Sequence, residues 1–139
     1  MSVIGALLWL SLNVYYEARS EDRAAQIAVA HVTINRSEES NKTIKEVVLK
    51  PHQFSWTGVK SRRKIPNDPE VFQDCVKSAL IALSTPDNTG GATFFHEKSV
   101  KPRWVKKMSY LKSFGSHKFY KPKKSATKAS KKNYNSRRV

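Results

Sequence analysis

Hydrophobic positions crowd the first third of the chain. From Ile4 to about Arg19 they occupy nearly every side of a helical wheel, which predicts a largely buried first helix. Asn13 and Glu17 stand four apart and therefore share a face, with Leu10 beside them. A second helix is predicted to run to about Glu38, capped by Ser20 or Asp22. Its alanines at 24, 25, 28 and 30 permit close helix packing, and Ile27, Val29, Val32 and Ile34 supply bulk. "TIKEVVLKP" carries a capping box, Thr43 with Glu46 three residues on, so it reads as a short helix ended by Pro51. "HQFSWTG" and "SRRKIPNDP" read as loops. Asp68 then caps, and Pro69 opens, a helix to about Leu83. After the loop "STPDNTGG" the period changes, and "GATFFH" and "SHKFY" read as short strands on either side of a mixed segment.

This order predicts an α+β protein, mainly helical, with a small late sheet. Its 139 residues suit one domain, placed at residues 1–120, followed by a tail at 121–139 without apolar periodicity and read as disordered. The apolar stretch from Val3 to Tyr16 is interrupted by Ser11 and Asn13 and is too short to span a bilayer. With no Lys or Arg before it, it also lacks the start of a secretory signal, so synthesis in the cytoplasm is expected.

Charge adds a partner class. The chain carries +15, and Lys121 to Val139 hold eight Lys or Arg and no acid, leaving 18 basic against 11 acidic residues, +7, on the body. That balance suits a polyanion: nucleic acid, an anionic membrane or a bacterial wall. Trp56, Trp104, Phe114 and Tyr134 interleave with the basic residues, a generic pattern, but no nucleic-acid motif is present. The lone Cys75, on a helical face, excludes an internal disulfide and a cysteine zinc cluster. His31, His52, His96 and His117 show no ligand spacing such as H-E-x-x-H, so no metal or cofactor is expected. There is no G-x-S-x-G elbow and no phosphate-cradling glycine loop. What remains is Glu17. It is either a solvated helix-end charge or a carboxyl group held against apolar surface beside Tyr15 and Tyr16. In the second case its neutral form is favoured and it can serve as a general acid near neutral pH.

"YYEARSEDRAAQIAVAHVTINR" resembles the entry motif of the spore-cortex-lytic, SleB-like cell wall hydrolases: E-A-R-G-E, a short gap, G/A-Q-x-A-V-A, then N-R. "TIKEVVLKPHQFSW", "TGGATFFHEKSVKPRW" and "FGSHKFY" resemble its later segments in the same order, so the likeness covers about Leu7 to Tyr120. Ser20 departs from the family's usual glycine. The resemblance implies a lysozyme-like, lytic transglycosylase-like domain acting as a monomer on peptidoglycan glycan strands. Glu17 would protonate the bond between N-acetylmuramic acid and N-acetylglucosamine, then take the C6 hydroxyl proton as a 1,6-anhydro ring closes. It further implies substrate contacts from Gln26, Phe54, Trp56, Phe94, Phe95 and His117, each with a structural role as its alternative, a solvated helix amide in the case of Gln26. Glu21 and Asp22 read as charges at a helix start, Trp104 as structural, and Arg19 as pairing with an acid to anchor the loop.

A single domain of this kind made without a signal looks like a bacteriophage endolysin released at lysis. The basic tail would tether it to anionic wall polymers or an outer-membrane surface, and nucleic acid is not the expected partner. A hydrolytic muramidase, an N-acetylmuramoyl-L-alanine amidase and a non-enzymatic basic binding protein are the alternatives.

Overall fold

The computed structural model describes residues 2–124. The helices are α1 (Val3–Ala18), α2 (Arg23–Ser40), α3 (Ile44–Leu49) and α4 (Pro69–Ser84). The strands β1 (Phe94–Glu97), β2 (Met108–Phe114) and β3 (His117–Pro122) form an antiparallel sheet in the order β1-β3-β2. Tight 3-10 turns occupy Ser55–Gly58, Lys60–Arg62 and Arg103–Lys107.

Local chemistry sets the helix boundaries. Ser2 caps α1 by accepting from Gly5 N at 3.0 Å, and Asp22 caps α2 by accepting from Ala25 N at 2.9 Å. Asn41, in the left-handed region at φ 55°, stops α2. Both hydrogen bonds of the Thr43–Glu46 capping box on α3 are present. Asp68 does precede Pro69 at the start of α4, but its side chain makes no cap; it accepts from the Tyr15 hydroxyl at 2.8 Å. Tertiary pairing wins here because the phenol needs a partner inside the fold.

α1 packs against α2, α3 and α4. Leu10, Leu12, Val14, Ala30, Val48, Cys75 and Ala79 make its core with essentially no exposure. Only the first turn is out in solvent, with Val3 75% and Ile4 81% exposed. A second cluster joins Ala28, Val29 and Val32 of α2 to Phe119 of β3, which lays the sheet on the middle of α2. Buried Asn13 staples three elements, donating to Thr33 Oγ1 at 3.2 Å and accepting from Trp56 Nε1 at 2.9 Å.

Two features differ from the sequence expectation. The mixed segment contains β2, whose register shifts between Tyr110 and Lys112, a bulge at Leu111 that breaks the two-residue alternation. β3 continues through Lys121 and Pro122, two residues past the expected domain boundary, pairing with Ser109 and Met108. The rest of the predicted tail, residues 125–139, lies outside the described residues. Among the described residues no helix is long and apolar enough to cross a membrane, and no cluster of three or more His, Cys, Asp or Glu could hold a metal ion.

Candidate active site

Where α1 ends, its last turn faces the sheet across a cleft of about 380 Å³. Tyr16, Glu17 and Glu21 line it from the helical side, and Phe95, His96 and His117 from the strands. Glu17 is half-buried there. Burial pushes its carboxyl up to about 7, against the smaller opposing pull of the Arg36 cation. No hydrogen bond to this carboxyl is formed among the described residues, and the Arg36 cation favours its charged form.

Arg36 explains how a cation comes to sit inside the domain. Its Nε donates to the Thr93 carbonyl at 2.5 Å, and its guanidinium lies over the rings of Phe54 at 5.4 Å and Phe94 at 5.2 Å. Burial lowers its own pKa to about 10, which leaves it charged at neutral pH.

The second carboxylate in the cleft has the opposite environment. Glu21 accepts from Ser116 N at 2.8 Å and Ser116 Oγ at 2.7 Å, and these bonds hold its pKa below the ordinary carboxylate value. His117 Nδ1 stands 3.8 Å from Glu21 Oε1. Burial dominates at that imidazole and lowers its pKa, so it is neutral at pH 7. One cleft therefore holds a protonatable acid and a fixed anion.

The site residues expected from sequence separate into three places. Glu17, Phe95 and His117 come together in the cleft. Gln26, Phe54 and Trp56 are 2%, 5% and 3% exposed and lie behind its wall, where they act by support. Gln26 donates to the Ala18 carbonyl at 3.1 Å and accepts from Ser78 Oγ at 2.6 Å, satisfying the open end of α1 just past Glu17. Trp56 stacks on Tyr16 at 4.8 Å and 22°. Phe94 lines a neighbouring cavity and packs on Trp104 at 5.2 Å. Among the described residues Arg19 pairs with no acid; it is exposed, with its guanidinium 4.9 Å from the Tyr15 ring centre. Sequence reasoning missed Glu21 and Arg36. Both stand in the quoted motif, as its second glutamate and closing arginine, and that membership is the signal that marks them.

Fold and cleft together define a small, helix-rich, lysozyme-like domain with a carboxyl group at the end of a buried helix. Residues 20–120 match the Cell Wall Hydrolase family, a match that begins three residues after Glu17. The chain belongs to this family. It is 29% identical over 111 residues to a spore cortex-lytic enzyme of Bacillus cereus, covering 78% of this chain and 41% of that protein. A spore cortex-lytic enzyme of Halalkalibacterium halodurans is 31% identical over 109 residues, covering 76% and 32%. The chain thus spans less than half the length of these curated relatives. In structure it resembles the catalytic domain of the germination-specific lytic transglycosylase SleB from Bacillus anthracis, with TM-score 0.74, 26% identity and coverage of 87% of this chain and 97% of that one. The catalytic domain of the Bacillus cereus SleB protein gives TM-score 0.69 at 27% identity, covering 84% and 91%.

Proposed function

We propose that the chain is a peptidoglycan-cleaving lytic transglycosylase with Glu17 as its single acid and base. The observation that carries this is the half-buried Glu17 carboxyl in a cleft, pushed up to about 7. Near neutral pH such a group is available both protonated and ionised. Protonated, it gives its proton to the oxygen linking muramoyl C1 to the next N-acetylglucosamine, and that C–O bond breaks. Ionised, it takes the proton of the muramoyl C6 hydroxyl as that oxygen bonds to C1. The proton returns to Glu17, a 1,6-anhydro end forms, and no water is consumed. Phe95 and Tyr16 offer ring faces to the sugars, and neutral His117 offers a polar edge.

Glu21 favours a second reading, hydrolysis. A fixed anion beside a protonatable acid is the pairing that retaining and inverting glycosidases use. Digestion of purified wall followed by mass spectrometry separates the two. Anhydro-muramoyl ends support the lyase, reducing muramic ends support the hydrolase, and free L-alanine amino ends overturn both in favour of an amidase.

An endolysin role, with synthesis in a host cytoplasm and a basic tail tethered to anionic wall polymers, is the accompanying proposal, supported by the charge of +15. Wall binding by the whole chain and by a chain ending at Lys124, compared at low and high salt, tests the tether. Equal binding by both removes it.

A further inference from the structure

A second cavity, of about 590 Å³, is lined by residues of α2, α3 and β1. Phe94 lines the cavity and Phe95 the cleft from opposite sides of β1, and the link between the two hollows is Arg36, whose charge reaches Glu17. Arg36 also lines the cavity. Its planar group is fixed by Thr93 and by the rings of Phe54 and Phe94, and its buried Nη1 has no hydrogen-bond partner. Around the rim, Lys42 precedes α3 and Lys50 follows it, with Val47 between them. Of the two acids on this wall, Glu39 and Glu46, the latter is held in the α3 capping box by accepting from Thr43 N at 2.9 Å. The cavity therefore combines apolar wall with three cations and two acids, an excess of one positive charge.

Sugar hydroxyls do not call for such a set. It fits a short framework that carries both methyl groups and carboxylates, which is the chemistry of an acidic peptide. The muramoyl residue of peptidoglycan bears one at its lactyl group. We infer that this cavity holds the peptide stem of the muramoyl residue bound at Glu17, with Lys42 and Lys50 meeting its carboxylates. The inference rests on the peptidoglycan reading above. An extended peptide spans about 3.3–3.6 Å per residue, so a stem of three or four residues covers on the order of 10–14 Å.

The test uses the whole chain on two substrates: glycan strands that retain their stems, and the same strands stripped of stems by an amidase. The wild type is expected to cut stemmed strands with KM about tenfold lower, and kcat little changed, because the stem is held equally in the ground and transition states. In the double variant Lys42→Glu, Lys50→Glu the preference is lost and both substrates are cut with the same high KM. Both lysines are exposed, so the fold tolerates the change. The double variant Lys64→Glu, Lys77→Glu, at exposed positions outside the lining of the cavity, makes the same change in overall charge and keeps the preference. Equal KM on both substrates in the wild type overturns the stem assignment and leaves the enzyme reading intact. So does a Lys42→Glu, Lys50→Glu variant that weakens both substrates in the same proportion. Failure of the wild type to cut either substrate overturns the enzyme reading, and the stem assignment with it.

Discussion

Glu21 and Ser116, 95 residues apart, are joined by two hydrogen bonds, from the serine backbone N–H and from its hydroxyl. The corner between α1 and α2 is thereby latched to the turn between β2 and β3, and the two walls of the cleft are held at one spacing. Gly115 makes the latch possible. It has φ +55°, and a Cβ there would come within 2.2 Å of Glu21 Oε1. Gly115→Ala is expected to cost about 2 kcal/mol or more and Glu21→Ala about 1–3 kcal/mol. The double variant should lose less than the sum, because the clash disappears with the carboxylate. Chemical denaturation of the four proteins measures this, and strict additivity would show that the two residues are not coupled.

The same latch has a pH signature. Hydrogen bonding depresses the Glu21 pKa in the folded protein. Its stabilisation is complete above the unfolded value, about 4.3, and is lost as pH falls through the lower folded value. Wild type minus Glu21→Gln stability is expected to be constant from pH 6 upward and to shrink below about pH 4. Thermal unfolding across that range checks it; a difference that grows on acidification would remove the ionised latch.

Asn13 supports the cleft from behind. Its amide serves Thr33 and Trp56, and Trp56 carries Tyr16 on its face. Asn13→Ala leaves the buried indole N–H without an acceptor and opens a gap between α1 and α2. A loss of about 2–4 kcal/mol is expected, against about 1–2 kcal/mol for Trp56→Phe, which keeps the Asn13–Thr33 bond and leaves only the Asn13 carbonyl oxygen without its donor. If the two variants lose equally, the shared amide is not what matters.

Which parts were legible in the sequence follows from how local their causes are. Asp22, Thr43 with Glu46, and Pro69 act within a turn of themselves, so the helix starts were readable. β2 was not, because the bulge at Leu111 interrupts its alternation. Glu17 stood out because the apolar residues around it belong to its own helix. Glu21 looked like a charge at a helix start because its partner, Ser116, lies at the far end of the chain. Gln26 and Trp56 were visible as members of a motif, but which way they face depends on Ser78 and Asn13. Arg36 makes the same point: Thr93, Phe54 and Phe94 cage it, and none is near it in sequence.

Arg36 is expected to act on Glu17 through its field. The cation opposes burial and lowers the Glu17 pKa, so its removal raises that pKa. In Arg36→Gln the acid stays protonated to higher pH, and the ratio of activity at pH 8 to that at pH 6 should increase even if total activity falls. Arg36→Lys keeps the charge and should keep the ratio near the wild-type value. A ratio that drops in Arg36→Gln would mean that the arginine does not lower the Glu17 pKa.

Glu17 itself should trade stability for function. Its folded pKa, about 7, lies above its ordinary value of 4.5. A group raised in this way contributes its full stability below the unfolded value and loses it as pH rises through the folded one. Ionised Glu17 therefore destabilises the domain above pH 7, by an amount on the order of 2 kcal/mol. Glu17→Gln is nearly isosteric and cannot ionise. It should match the wild type at pH 4–5 and be the more stable protein at pH 8, while wall cleavage falls by about 10²–10⁴-fold. Unfolding curves at the two pH values and a lysis assay on the same preparations decide it. Near-normal lysis by the variant would end the assignment of Glu17 as the acid. Equal stability at pH 8 would mean that the carboxylate is solvated in the folded protein rather than held against apolar surface.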